Sequence, residues 1–331
     1  MFLKLLLLLR MARILTGVQS TGTPHLGNIL GAIIPAIELS KKHSDSFLFI
    51  ADLHSLTQIK NATELKQNTY STAATWLSFG LNPKKTVFYK QSDIPITTEL
   101  AWILSSYFPF QRLTLAHSLK DNSKDLKNVN AALFTSPMLM AADILLYDAN
   151  YVPVGKDQMQ HLEITRNVAS KFNNLHGDTL IIPESIVNED TKLIIGTDGQ
   201  KMSKSKNNII NIFLPNNKLK KQIMSIKTDS LSVESPKNPD TCNVFKLYSL
   251  IGKEKDVIQM KEKYKNGGYG YGEAKNELFE LIIQTYSKQR EKYNYLMDNK
   301  NEMDQILNEG SKKAKKVADQ VIKRVKSKLG I

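Results

Sequence analysis

The chain has 331 residues, 41% of them hydrophobic and 23% charged, which is typical of a globular protein with two domains, or with one large and one small domain. Its formal net charge of +13 favours phosphate-rich partners such as nucleic acids, with background composition as the alternative. The single cysteine, Cys242, excludes an intrachain disulfide framework and a cysteine-rich zinc site, and it fits a reducing compartment such as the cytoplasm.

The first ten residues, MFLKLLLLLR, contain an apolar run that is too short to span a bilayer and has no small-residue cleavage site. A secretory signal is the alternative, but the segment is shorter than such signals usually are. We therefore expect residues 1–10 to be an N-terminal extension outside the fold, with Met11 as the true first residue.

Strand patterns alternate with helical patterns over the first part of the chain. The predicted strands are 12–19, 46–52, 85–93 and 150–155. The helix after the first strand begins near Leu26 and should be kinked by Pro35, and the next helix should end at Gly80. This alternation predicts an α/β fold with a parallel sheet covered by helices on both faces.

Polar clusters follow three of these strands, at 19–28, 52–54 and 155–158. Ligands of parallel sheets bind beyond the carboxyl ends of the strands. One open sheet would therefore bring the three clusters to the same edge. After about Asn211 strand patterns largely disappear, and lysine-rich helical patterns take over, so we predict a helical C-terminal region.

The stretch GVQSTGTPHLGN joins a strand to a helix through a tight turn, so that backbone N–H groups at the helix start can receive a phosphate. Gly27 allows close approach of a ligand, and His25 and Asn28 add side-chain donors. Glycine used only for packing is the alternative. The stretch matches neither the P-loop pattern nor the dinucleotide pattern with three spaced glycines.

A second polar stretch, DGQKMSKSKNN, has almost no apolar residue to bury. On a mobile loop, Lys201 and Lys204 would supply point charges to a triphosphate, and Met202 could anchor the loop. A solvated surface turn is the alternative. One such stretch could occur by chance in a lysine-rich chain, but its occurrence together with the HLGN turn is much less expected by chance.

The pair HLGN (25–28) and KMSKS (201–205) resembles the two nucleotide motifs of class I aminoacyl-tRNA synthetases. Together with GVQSTGTPHLGNILGAI and MAADILLYDANYVPVGKDQMQHLEITRNVA, it resembles the bacterial-type tryptophanyl-tRNA synthetases over nearly the whole chain from Met11. The resemblance is weaker between about Phe110 and Phe134 and over the C-terminal third.

The resemblance implies a Rossmann-like catalytic domain at 11–211, ending in the KMSKS loop, and a helical anticodon-binding domain at 212–331. It also implies a homodimer that activates tryptophan with ATP, accompanied by Mg²⁺ on the ATP phosphates, and then loads tRNA(Trp). His25, Asn28, Lys201 and Lys204 would be the catalytic donors. The full set of expected ATP-binding residues is Gln19, Ser20, Thr21, Gly27, Asn28, Gly155, Lys156, Asp157, Leu193, Lys201, Met202, Ser203, Lys204 and Ser205.

Asp143 lies in an apolar helical pattern, where a carboxylate is costly unless it finds donors. From the residues alone, an internal salt bridge or a helix-surface position is the favoured explanation. The resemblance implies instead that Asp143 accepts the indole N–H, with Gln158, His54 and Met140 as further tryptophan-site residues. A packing role for His54 at the strand end is the alternative.

Three positions depart from the family pattern: Ser136, Lys156 and Lys206. They could change recognition of the substrate amino group, the ribose contacts and the charge of the loop. Alternative functions are a tyrosyl enzyme of the same class, a cofactor adenylyltransferase and an RNA-binding protein that has lost activity. The stretch around Asp143 argues against the tyrosyl enzyme, and the basic helical region argues against an adenylyltransferase. The intact motif residues argue against a protein that has lost activity.

Overall fold

The structure is a computed structural model, and it describes residues 12–43, 45–114, 130–155, 158–187 and 194–331. The extension predicted at 1–10 lies outside these residues. No helix in the described ranges is both long and apolar enough to cross a bilayer.

A five-stranded parallel sheet forms the centre of the fold, in the order β3-β2-β1-β4-β5. Its strands are β1 (Ile14–Val18), β2 (Ser46–Ile50), β3 (Thr86–Lys90), β4 (Tyr151–Val154) and β5 (Glu184–Val187). The predicted parallel sheet and four of its strands are thus confirmed. The prediction missed β5, a four-residue edge strand that starts on the exposed Glu184 and so shows little apolar pattern.

Helices follow the strands as the alternation predicts. In chain order they are α1 (Leu26–Asn28), α2 (Ile34–Lys42), α3 (Asp52–Ser55), α4 (Ala62–Ser78), α5 (Ile96–Ser105), α6 (Phe110–Leu113), α7 (Ala131–Leu145), α8 (Met159–His176), α9 (Asn216–Met224), α10 (Asn243–Ser249), α11 (Glu254–Asn266), α12 (Tyr271–Thr285), α13 (Ser287–Asp298) and α14 (Lys300–Leu329).

The helix predicted from Leu26 accommodates Pro35 by a change of winding. A π-helical segment, Ile29–Ile33, separates α1 from α2, and Pro35 falls in the first turn of α2, where a missing N–H does no harm. The N–H of Ile34 bonds to Ile29 O, five residues back. Gly80 follows α4 with a φ of 97°, as expected for a residue that ends a helix.

Buried apolar residues cover both faces of the sheet. One core cluster joins residues of α1, α2 and α4 to the C-terminal helices α9–α13, and the other joins the strands to α5, α7, α8 and the second half of α14. Residues beyond 211 therefore share their core with the sheet domain. The division at 211/212 stays a prediction.

The C-terminal helix α14 packs along β3. Its buried side includes Ala314, Val321 and Val325, and Val317 and Leu329 are partly buried against the same core. Gly310 allows the closest approach: a Cβ at this position would lie 1.8 Å from Phe88 O. Any larger residue would push the helix off the strand.

Candidate active site

The carboxyl ends of the strands meet at one edge of the sheet. In register, Val18 of β1 pairs with Ile50 of β2, and Ile50 pairs with Lys90 of β3. The clusters at 19–28 and 52–54 therefore start side by side, as predicted. Gln91 follows β3 at the same edge, where no polar cluster was predicted.

The HLGN turn is held by a reciprocal pair of hydrogen bonds. His25 Nδ1 accepts the Asn28 N–H at 3.2 Å, and Asn28 Oδ1 accepts the His25 N–H at 3.2 Å. Burial, and then the charge of Lys204, lower the pKa of His25 to about 4. The imidazole is therefore neutral at physiological pH, and because Nδ1 accepts, the ring proton lies on Nε2. This leaves Nε2–H as the donor that His25 can offer a ligand.

The KMSKS loop lies against this turn. The Gly27 N–H donates to Met202 Sδ at 3.3 Å, and Met202 is buried, as its predicted anchoring role requires. Lys204 Nζ donates to Gly22 O at 2.8 Å. A Cβ on Gly27 would lie only 3.0 Å from His25 Nδ1 and 3.3 Å from Met202 Cβ, so the loop and the turn are closely packed here.

Burial lowers the pKa of Lys204 to about 8. A neighbouring phosphate would restore the proton, so this lysine is adapted to a negatively charged ligand. Lys201 is exposed, and its backbone forms an isolated antiparallel bridge with Ile195. Ser203 and Ser205 lie between and after the two lysines, with their hydroxyl oxygens 2.9 Å apart.

Asn208 shapes the loop from within, and sequence reasoning missed it. Its side chain is buried, accepts the Ser203 N–H at 2.7 Å, and donates to Asp198 Oδ1 at 2.7 Å and to Lys201 O at 3.1 Å. These bonds close the loop across both lysines. The only signal in the sequence was the Asn pair that follows KMSKSK.

Three predicted residues directly after β1 are placed differently from one another. Gln19 is exposed and Thr21 is half-buried. Ser20 is fully buried: its N–H donates to Ser55 Oγ at 2.9 Å, and the two hydroxyl oxygens are 3.1 Å apart. Ser20 therefore joins the end of β1 to α3 through both its N–H and its hydroxyl, and its role toward ATP stays a prediction.

Asp143 is buried and is contacted by the side chains of His54 and Gln91. Its Oδ2 lies 2.9 Å from His54 Nε2, and Gln91 Nε2 donates to Oδ1 at 2.8 Å and to Oδ2 at 2.9 Å. Burial raises the pKa of Asp143, whereas the contacts with His54 and Gln91 oppose that rise. A carboxylate offers about four acceptor directions, so one on Oδ1 is left for a further donor. The internal pairing and an indole-accepting role are therefore compatible.

Gln91 and Asp52 complete this cluster. Asp52 belongs to the polar cluster predicted at 52–54, whereas sequence reasoning missed Gln91. Gln91 Oε1 accepts the backbone N–H groups of Leu53 and His54 at 3.1 and 3.3 Å. The Ser92 N–H donates to Asp52 Oδ1 at 2.9 Å. The turn after β3 thus fixes the positions of both His54 and Asp143. Because ligands bind beyond the carboxyl ends of parallel strands, the position of Gln91 directly after β3 could have identified it as a site residue.

The other predicted residues lie on α7 and at the start of α8. Met140 is half-buried on α7, one turn from Asp143. Gln158 is exposed, with its backbone N–H donating to Gly155 O at 3.0 Å. Ser136, a departure from the family pattern, turns its hydroxyl to Leu133 O at 2.8 Å. Lys156, Asp157 and Leu193 lie outside the described residues.

The fold is a parallel sheet, and a lysine-bearing loop contacts the turn between its first strand and first helix. This arrangement is typical of the nucleotide site of class I aminoacyl-tRNA synthetases. The family model of class I tRNA synthetases (W and Y) matches residues 9–287, and the chain belongs to this family. That family includes both tryptophan and tyrosine enzymes, so it does not by itself distinguish the amino acid.

Individual relatives do distinguish it. A tryptophan–tRNA ligase of Fusobacterium nucleatum is 45% identical over 322 residues, which cover 97% of this chain and 98% of the relative. A crystal structure of tryptophanyl-tRNA synthetase from Campylobacter jejuni, complexed with ADP and tryptophan, has a TM-score of 0.91 at 44% identity and covers 96% of this chain and 100% of that one. The enzyme from Mycoplasma pneumoniae gives 0.79 at 28% identity, over 97% and 98%. The predicted Rossmann-like fold class and family are confirmed.

Proposed function

We propose that this chain is a tryptophan–tRNA ligase. It activates L-tryptophan with ATP to give tryptophanyl-adenylate and pyrophosphate, and then transfers tryptophan to the 3′ end of tRNA(Trp). The observation that carries this proposal is the position of Asp143, a buried carboxylate at the same sheet edge as the turn that meets Lys204. The relatives' names support the choice of tryptophan.

The activation step needs no protein nucleophile. The tryptophan carboxylate attacks the α-phosphorus of ATP in line; a C–O–P bond forms, the bond from the α-phosphorus to the bridging oxygen breaks, and pyrophosphate leaves with that oxygen. The protein positions the two reactants and stabilises charge on the leaving group. Lys204 and the Nε2–H of His25 are the donors at the turn, and loss of one such donor costs about 3 kcal/mol, or roughly a hundredfold in rate.

The remaining loop residues would close over the phosphates. Lys201 is exposed, so its ammonium group can swing toward a ligand, whereas Met202 is already anchored on Gly27. Asn28 keeps His25 in the tautomer that donates from Nε2. Mg²⁺ would bind the phosphate oxygens of ATP, the hard ligands that it prefers.

Tryptophan would be selected by the free acceptor direction on Asp143 Oδ1. A site built to accept an N–H leaves its buried acceptor unpaired when phenylalanine enters, and such a mismatch discriminates by about 10⁴-fold without editing. His54 and Gln91 hold the carboxylate in place for this contact. Met140 and Gln158 would line the same site on α7 and at the start of α8.

The partners follow from the same proposal. The lysine-rich helices beyond 211 would bind tRNA(Trp), with lysines on phosphates and anticodon bases splayed and stacked. The working enzyme would be a homodimer in the cytoplasm, where its one cysteine, the buried Cys242, would stay reduced.

The test is exchange of labelled pyrophosphate into ATP with each of the standard amino acids in turn. Only tryptophan should support exchange, and magnesium should be required. If tyrosine supported faster exchange than tryptophan, the assignment would move to the tyrosyl enzyme. If no amino acid supported exchange, the proposed activity would be wrong.

A further inference from the structure

The C-terminal helix α14 lies far along the chain from the site, yet it contacts the strand that leads into it. Gly310 brings α14 against the backbone of Phe88, where an added Cβ would meet the carbonyl oxygen. Phe88 belongs to β3, the strand that ends just before Gln91. The close approach places the next residue of the helix, Ser311, beside the end of this strand.

Ser311 is bonded to the turn after β3. Its hydroxyl donates to Asp93 Oδ2 at 2.7 Å and is also 2.9 Å from Leu307 O. The other oxygen of Asp93, Oδ1, forms an ion pair with Lys90 at 3.2 Å. Each oxygen of this carboxylate therefore has its own partner, and one of them comes from α14.

Asp93 closes the 3₁₀ turn Gln91–Asp93, and all three residues of that turn make long-range contacts. Gln91 holds Asp143, Ser92 holds Asp52, and Asp93 is held by Ser311. A single 3₁₀ turn has weak internal hydrogen bonds, so its conformation depends on such outside anchors. Between Asp93, which Ser311 contacts, and Asp143 in the amino-acid site, only Ser92 and Gln91 intervene.

A second side chain ties α14 to the other side of the same cluster. Arg324 donates to Asp148 Oδ1 at 2.5 Å and to Thr179 O at 2.7 Å. Asp148 follows α7, the helix that carries Asp143, and has a φ of 49°. The helix thus anchors both elements that bring Gln91 and Asp143 together.

We propose that Ser311 is a positioning residue for the tryptophan site: it fixes the turn that presents Gln91 to Asp143. The inference rests on the proposed function of Asp143. Its consequence is that the helical region beyond 211, besides any contact with tRNA, takes part in amino-acid binding before tRNA arrives.

The experiment measures tryptophan-dependent pyrophosphate exchange without tRNA for the wild type and three variants of the full chain. In Ser311→Ala the KM for tryptophan should rise about three- to tenfold, a size typical of coupling within one hydrogen-bond network, while the KM for ATP stays unchanged. Ser311→Thr keeps a hydroxyl and should restore the KM. Ser327→Ala removes an exposed serine of the same helix and should match the wild type.

A double-mutant cycle identifies the route of the effect. Asp93→Ala removes the acceptor that Ser311 contacts, and in this background Ser311→Ala should add little further change to the KM for tryptophan. Equal KM values in Ser311→Ala and Ser327→Ala would overturn the proposal, as would a parallel change in both substrates' KM values. Absence of exchange in the wild type would instead refute the proposed function itself.

Discussion

The side-chain amide of Gln91 donates to both carboxylate oxygens of Asp143, at 2.8 and 2.9 Å, across 52 residues of sequence. The orientation of this amide is fixed, because its oxygen accepts the N–H groups of Leu53 and His54. Gln91 can therefore only donate toward Asp143. The buried carboxylate is therefore stabilised as an acceptor and held in place.

Asp143→Asn should lower both activity and stability, and the substrate dependence of the activity loss identifies the role of the carboxylate. We expect kcat/KM for tryptophan to fall about a hundredfold or more, while the small value for phenylalanine changes much less. The thermal midpoint should fall, because the Asn side chain has one acceptor oxygen fewer and leaves a buried donor of Gln91 or His54 unpaired. Pyrophosphate exchange and calorimetry measure the two effects.

Asp298→Asn, at an exposed position of α13, is the matched control and should change neither quantity. A tryptophan kcat/KM within about twofold of wild type in Asp143→Asn would contradict the indole-accepting role and leave the internal pairing as the sole role of this carboxylate.

Lys204 gives ATP binding a defined pH dependence. Its pKa in the free protein is about 8, so the ammonium group is charged below that pH and must regain a proton to bind phosphate above it. The dissociation constant for Mg-ATP, measured by titration calorimetry without tryptophan, should be flat near pH 7 and rise up to about tenfold per pH unit above pH 8.

In Lys204→Arg this rise should disappear, because a guanidinium stays charged over the whole range. Lys206→Arg changes an exposed lysine of the same loop and should keep the wild-type profile. His25 does not interfere, since its pKa is about 4. A rise of the same slope in Lys204→Arg would show that another group controls the titration.

Asn208→Ala should loosen the KMSKS loop. The change removes one acceptor for the Ser203 N–H and two donors toward Asp198 and Lys201, so the three hydrogen bonds that close the loop are lost together. We expect a KM for ATP raised about tenfold, with the KM for tryptophan little changed, in the exchange assay.

Asn207→Gly is the control for that loop. Asn207 is exposed and has a φ of 51°, a conformation that glycine adopts without strain. This variant should keep both KM values and the thermal midpoint. An unchanged KM for ATP in Asn208→Ala would mean that the loop closes without its internal hydrogen bonds.

Gly310→Ala should destabilise the fold. The new Cβ would overlap Phe88 O, so α14 would have to move away from β3, at a cost of about 2 kcal/mol or more. Gly272→Ala, in the first turn of α12, has open space around its Cβ and should leave stability unchanged or slightly higher. Urea unfolding of both variants checks the contrast; equal midpoints would show that α14 adapts without cost.

Much of the fold could be predicted from local patterns. Alternating strand and helix patterns indicated the parallel sheet, and Gly80 indicated the end of α4. The HLGN turn and the KMSKS loop could be paired from their residues alone, and they do meet, through Met202 and Gly27. The strand and helix patterns depend on residues that are neighbours in the chain, whereas the contact between Gly27 and Met202 crosses 175 residues.

What the sequence by itself determined is which side of each element is apolar, where turns form and which stretches carry donors for phosphate, because hydrophobic period and turn chemistry are local properties. Only the tertiary structure decided that Gln91 holds Asp143 and that Ser311 holds Asp93, across 52 and 218 residues. A periodic pattern shows that a face is covered but does not show which distant element covers it, and these hydrogen bonds depend on that choice.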